Sequence, residues 1–228
     1  MDTEALKRAT GYRAAEYVHS GMIVGLGSGS TARYATLRIA ELLQAGKLHD
    51  IMAIPTSEAT AALAREGGIP LTTLDEQPVL DLTIDGADEV DSHLDLIKGL
   101  GGAQLREKIV AYASKKEIIV VDESKLVQRL GSQAPVPVEV IRFGLRSTQA
   151  ALERTDAVVT LRMRSSEPFV TDEGNYILDC RYIPYIGNPS ALAAALKAIP
   201  GVVEHGLFLG MAQTVIVAST NGVRVIEK

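Results

Sequence analysis

Four short apolar runs, each bordered by a stretch of helical period, constrain this chain more tightly than any other feature. They are "MIVGLG" (22–27), "IMAIPTS" (51–57), "VLDLTID" (79–85) and "EIIVVDES" (117–124). "MIVGLG" reads as a short buried strand, "IMAIPTS" as a second, "VLDLTID" as a strand with apolar residues on both faces and "EIIVVDES" as one with a fully apolar centre. "STARYATLRIAELLQAG" (30–46), "SEATAALAREGG" (57–68) and "AQLREKIVAYASK" (103–115) read as helices. Ala5, Ala9, Tyr12, Ala15, Glu16 and Val18 predict another, stopped by Gly21. Strands alternating with helices imply βαβ units and a parallel sheet. The expected fold class is α/β: a Rossmann-like, mostly parallel sheet with helices on both faces. Hydrophobic residues make up 46% of the chain, with 4% aromatics and no Trp, so the core is expected to be Val, Ile, Leu and Ala.

The texture changes near residue 131. In "GSQAPVPVEV", Pro135 and Pro137 suggest a linker. The order that follows is β-α-β-β-α-β: "VEVIRF", "STQAALERT", "AVVTLRMR", "NYILDCRY", "PSALAAALKAI" and "GVVEHGLF", with "TDEGN" as the hairpin turn. This is the split βαβ of a ferredoxin-like α+β domain. "AQTVIVASTNGVRVIE" then gives a strand, an Asn-Gly turn and a strand, expected to rejoin the first sheet. The expected domains are 1–132 with 207–228, and 133–206.

Net charge is −5 and the isoelectric point about 5.4, which argues against a nucleic-acid partner. No apolar run has the length of a membrane span, and "MDTEALKRATGYRAAEYV" lacks the apolar core of a signal peptide. A cytoplasmic protein is expected. Cys180 is the only cysteine and reads as core. His19, His49, His93 and His205 lack metal-ligand spacing, so no metal site is expected.

Four stretches are candidates for chemistry. In "GLGSGSTA" (25–32), small residues and a helix start suit a phosphate, with Ser28, Ser30 and Thr31 adding hydroxyl donors. The run is neither a Walker A loop nor a dinucleotide fingerprint. Its bland reading is a turn with Ser30 or Thr31 as an N-cap. "TIDGADEVDSHLD" (83–95) crowds Asp85, Asp88, Glu89, Asp91 and Asp95 past an apolar strand. Gly86 and Ala87 break a calcium-loop pattern. A solvated acidic helix face fits the spacing of Asp85, Asp88, Asp91 and Asp95. The position of Asp85 at the carboxyl end of its strand instead suits a ligand. "KGLGGAQLREK" (98–108) offers Lys98 for an oxyanion and Glu107 as a base, although periodicity does not choose among Glu107, Arg106 and Lys108. "VVDESK" (120–125) adds Lys125.

Taken together and in order, "GLGSGSTA", "IDGADEVD", "KGLGGAQLREKIVA" and "VVDESK" resemble ribose-5-phosphate isomerases of type A, and the likeness runs through the whole chain. It implies interconversion of ribose 5-phosphate and ribulose 5-phosphate without metal or organic cofactor. It also implies a homodimer or homotetramer. The resemblance places the phosphate loop on Ser28, Gly29, Ser30 and Thr31, with Lys7 assisting. It places sugar handling on Asp85 and Asp88 with Gly86 and Ala87, and the oxyanion side on Lys98 with Gly99, Leu100 and Gly101. The base falls on Glu107 and a further substrate lysine on Lys125. Asp85 is the natural group to open the sugar ring, with Glu89 and Asp91 as solvated neighbours. Two residues depart from the family pattern: Leu100 interrupts a glycine run, and Ser28 replaces a frequent Thr. The relatives by fold, amino-sugar-phosphate deaminases, CoA transferases and sugar-phosphate sensors, are disfavoured: a sensor can lose Glu107 and Lys98, and no DNA-binding segment is visible.

Overall fold

The apolar runs form the strands expected of them. In the computed structural model, which describes residues 3–228, the chain divides into two units.

The first unit comprises the residues up to Ala87, Arg106–Lys125 and Gly210–Lys228. Its six-stranded sheet has the order Gly222–Glu227, Thr214–Ser219, Glu117–Asp122, Leu82–Gly86, Ile23–Leu26, Met52–Pro55. All neighbours are parallel except the outermost pair, Thr214–Ser219 with Gly222–Glu227. The C-terminal hairpin thus rejoins the first sheet. Ile118, Ile119 and Val120 are fully buried, each stabilising the fold by about 1.5–3 kcal/mol relative to exposure. One core cluster joins Val24, Ile84, Ile118 and Ile216 to Ala35 and Ile39 of the helix Ala32–Gln44. Another joins Ile54 and Leu80 to Val110 of the helix Gln104–Tyr112. The strand Ile23–Leu26 is flanked by Met52–Pro55 on one side and Leu82–Gly86 on the other. The chain therefore reverses direction across the sheet here, the arrangement that opens a crevice at strand carboxyl ends.

The second unit comprises Asp88–Leu105 and Leu126–Leu209. Its four-stranded sheet has the order Val202–His205, Val136–Val140, Tyr176–Arg181, Val158–Leu161, antiparallel throughout. With the helices Leu145–Glu153 and Pro189–Lys197, this is the ferredoxin-like order. Asn188 caps the latter helix, accepting from the Ala191 N–H at 3.0 Å, and Pro189 opens it. Cys180 is wholly buried, and burial pushes its thiol up to about 12.

This unit is larger than the 133–206 expected from sequence, taking in 88–105, 126–132 and 207–209 as well. The reason is pairing at long range. "GVVEHGLF" splits, and Leu207–Phe208 pairs with Leu96–Ile97, which in turn pairs with Glu89–Val90. The supposed linker is also different: Val136–Val140 is an interior strand, buried along its length. Pro137 is tolerated there because Val202–His205 pairs only from Val138 onward.

The acidic run corrects two further expectations. No helix forms over 85–95; Glu89–Val90 and Leu96–Ile97 are short strands joined by a turn. Asp91 organises that turn, accepting from the N–H groups of His93 at 2.8 Å and Asp95 at 3.0 Å. Glu89 is not a solvated neighbour but fully buried, accepting from the N–H groups of Gly131, Gln133 and Ala134. A carboxylate with three backbone donors is well satisfied in the interior. These two residues shape the chain rather than a ligand site.

Candidate active site

In the first unit the strand Ile23–Leu26 ends in the loop 27–31. The loop lies directly on Asp85, which is fully buried. The Ser28 and Gly86 N–H groups donate to Asp85 Oδ1 at 3.0 and 2.7 Å. A Cβ on Gly27 would lie 2.3–2.4 Å from Asp85 atoms, so only glycine permits this approach. The Ser28 hydroxyl is engaged by Thr56 at 2.8 Å, Ser57 at 2.7 Å and Thr60 at 3.1 Å. Ser30 is exposed and Thr31 half-buried. Thr31 stands at the N-cap of the helix Ala32–Gln44 but makes no side-chain capping bond, so the bland N-cap reading fails for it. Gly29, at φ +104, occupies backbone space that favours glycine.

Lys7 lies on the helix Thr3–Ala15 and donates to Glu4 at 3.2 Å. Glu4 also accepts from the Tyr34 hydroxyl in the first turn of the helix that the loop opens. These two bonds, the tyrosine's first, hold the Glu4 carboxyl below its ordinary range. Glu107 is in the first turn of Gln104–Tyr112 and is buried, whereas its neighbour Arg106 pairs with Glu58 at 2.8 Å. Lys125 ends the short helix Glu123–Lys125, half-buried, just past the strand Glu117–Asp122.

The second unit carries Asp88, Lys98, Gly99, Leu100 and Gly101. Lys98 is 2% exposed, and its ammonium stands 5.3 Å from the centre of the Phe208 ring. Its N–H donates to the Gly206 carbonyl at 2.9 Å. The turn that follows is closed by the Gly102 N–H on the Gly99 carbonyl at 2.9 Å. Gly99 has φ +103. Asp88 accepts from the Leu100 N–H at 2.9 Å, and its own N–H donates to Ile97. The Leu100 side chain is 43% exposed, so replacing a glycine there leaves the main chain of the turn intact. Among the described residues, no group of three or more His, Cys, Asp or Glu side chains is placed to hold a metal ion.

The comparisons with known proteins decide the family. The model of ribose 5-phosphate isomerase A (phosphoriboisomerase A) matches residues 52–222. The chain belongs to the ribose 5-phosphate isomerase A family. Ribose-5-phosphate isomerase A of Roseiflexus castenholzii is 52% identical over 228 residues, covering 100% of this chain and 97% of that protein. The Gloeobacter violaceus protein of the same name is 55% identical over 227 residues, covering 99% and 97%. Among solved structures, ribose 5-phosphate isomerase from Plasmodium falciparum is 41% identical, with TM-score 0.97 and 99% of each chain covered. A D-ribose-5-phosphate isomerase in complex with phospho-erythronic acid is 39% identical, with TM-score 0.97 and 100% of each chain covered.

Sequence reasoning missed two supports in this ribose 5-phosphate isomerase A relative. One is the hydroxyl cluster of Thr56, Ser57 and Thr60 under Ser28, foreshadowed only by the polar end of "IMAIPTS". The other is Arg162. The single strand expected over "AVVTLRMR" breaks at this residue: Val158–Leu161 and Met163–Arg164 flank it. An arginine inside an apolar hairpin, with Asp179 on the adjoining strand, was the available signal.

Proposed function

We propose that the chain interconverts D-ribose 5-phosphate and D-ribulose 5-phosphate through an enediolate. The observation that carries the reading is a buried lysine on a glycine turn together with a buried glutamate in a helix's first turn, Lys98 and Glu107, in a member of this family. Glu107 takes the proton from C2 of the open-chain aldose and returns it to C1, as a carboxylate base does in other aldose–ketose isomerisations. The carbonyl oxygen gains charge as the proton leaves, Lys98 and the Gly101 N–H stabilise it, and the proton of the C2 hydroxyl passes to that oxygen as C1 is protonated. Asp85 assists opening of the sugar ring, and Asp88 with Gly86 and Ala87 accepts or orients hydroxyl groups. Ser28, Gly29, Ser30 and Thr31 hold the phosphate with Lys7, and Lys125 adds a further cation. No metal or organic cofactor enters these steps.

Among the described residues no helix is long and apolar enough to cross a membrane, and a charged sugar phosphate is a metabolite of the cytoplasm, where we place the chain. We assign a second copy of the chain as its partner, supported by exposed apolar side chains in the second unit, Phe143 at 89% and Val158 at 60%. Light scattering across a dilution series tests this; a monomer at every concentration contradicts it. The function itself is tested by following ketopentose formation from ribose 5-phosphate after dialysis against EDTA. Undiminished turnover is expected. No turnover, or turnover restored only by a divalent ion, contradicts the reading.

A further inference from the structure

Arg162 stands outside the groups that carry the isomerisation. Its side chain is 12% exposed, and its guanidinium forms a two-pronged pair with Asp179, one prong 2.9 Å long. The remaining donors turn to the lysine-bearing turn. Nη1 donates to the Gly99 carbonyl at 2.8 Å and to the Leu100 carbonyl at 3.0 Å. Phe169 lies against the guanidinium, 5.9 Å from ring centre to Cζ, and its N–H donates to the Arg162 carbonyl at 2.9 Å. The same ring closes on Gly102, where a Cβ would come within 2.4 Å of it. The hairpin of the ferredoxin-like sheet thus grips residues 99–102 at three points.

The consequence follows from peptide planarity. In a trans peptide the N–H points opposite to the C=O of the preceding residue. With the Gly99 and Leu100 carbonyls both drawn to Arg162, the N–H groups of Leu100 and Gly101 are turned to the opposite side. The first of these meets Asp88. Successive N–H groups on one side of a turn form a concavity suited to negative charge. Asp179 offsets the charge of Arg162, so the pair supplies direction rather than added cation. Arginine suits the task because its rigid fork serves a carboxylate and two carbonyls at once; a lysine ammonium has no such geometry.

We infer that Arg162, locked by Asp179, is a positioning residue for isomerisation, fixing the 99–102 turn so that its Gly101 N–H and Lys98 meet the forming oxyanion. This rests on the isomerase reading above. Phosphate binding does not involve this turn, which makes the idea separable from general damage.

The test compares Arg162→Met, Arg162→Lys and Asp179→Asn with the parent chain. It reads kcat and KM for ribose 5-phosphate, Ki for inorganic phosphate, and Ki for 4-phospho-erythronate, whose carboxylate stands in for the enediolate. Misplacement of a preorganised turn is expected to lower kcat of Arg162→Met on the order of 10–100-fold. Affinity for 4-phospho-erythronate should fall in parallel, while Ki for inorganic phosphate stays within about twofold, and Arg162→Lys should fall between. A folded variant that loses thermal stability but keeps kcat within about twofold overturns the proposal. So does a loss of kcat matched by an equal rise in the phosphate Ki. Should Arg162→Met fail to fold, the milder Arg162→Lys and Asp179→Asn decide by the same criteria. Failure of the parent chain to turn over ribose 5-phosphate would instead strike the underlying function.

Discussion

The loop at 27–31 and the turn at 98–102 are both glycine-rich, and both lie between a strand and a helix, yet they are built differently. The loop rests on a buried carboxylate, Asp85, and a cluster of hydroxyls around Ser28. The turn carries a buried lysine, is tied by Asp88 and is gripped by a guanidinium. Neutral donors and a helix start suit a phosphate, whose charge is the same before, during and after reaction. A buried cation suits an oxygen that becomes charged only on the way to the transition state, because interactions stronger there than in the ground state raise the rate. The loop should therefore govern KM and the turn kcat.

The largest effect is expected at Glu107, the proposed base. Glu107→Gln keeps the shape and removes the base, so kcat should fall by roughly 10²–10⁴-fold with substrate still bound. Glu107→Asp should lose less, and a folded Gln variant with near-normal kcat would remove Glu107 from the role. Next comes Lys98→Ala, for which loss of an oxyanion partner predicts a fall of about 10²–10³-fold in kcat. An effect confined to KM would erase the contrast between turn and loop. Its mirror image is Ser30→Ala with Thr31→Ala: each lost bond to a charged group is worth about 1.5–3 kcal/mol, so KM should rise strongly. Equal loss in kcat would make the loop part of the reacting centre.

Two smaller effects sharpen the physical side. Gly27→Ala forces a methyl onto Asp85 and should cost about 1–3 kcal/mol in denaturant unfolding. Gly101 has nothing within 4 Å of a Cβ, and Gly101→Ala should stay within about 0.5 kcal/mol. Equal costs would mean that Gly27 is no more crowded than Gly101. In the second unit, Glu139 is buried, and desolvation raises its pKa above the ordinary 4.5 despite bonds from Asn175 and Thr171. A raised acid binds its proton more tightly folded than unfolded, so its contribution is present below 4.5 and lost as pH rises through the folded value. Glu139→Gln should then raise Tm at pH 8, the gain shrinking towards pH 4.5. A gain that grows on acidification would reverse the sign.

The same contrast explains what could be read in advance. The first sheet was legible because its strands are continuous apolar runs and its helices have clear period. The loop at 27–31 was legible because a helix start and its hydroxyls are neighbours in sequence. The split βαβ was legible from element order. The 98–102 turn was visible as glycines beside Lys98, but its supports were not, since Arg162 and Asp179 reach it from over 60 positions away. Periodicity favours no residue among Arg106, Glu107 and Lys108; burial separates them. The acidic run misled for a related reason. Composition cannot say that Glu89 turns inward to hold Gly131 and Ala134, or that Asp91 ties a turn. Those bonds exist only once distant segments have met.

The central claim is that a carboxylate moves a proton between carbons while a buried lysine holds the oxyanion. It is tested most directly by running the reaction in deuterium oxide and locating the label. Proton removal by a base that exchanges with solvent predicts deuterium on carbon, at C1 of ribulose 5-phosphate and, on return, at C2 of ribose 5-phosphate. Complete retention of the original hydrogen throughout turnover, with no deuterium on carbon in either sugar, would contradict it.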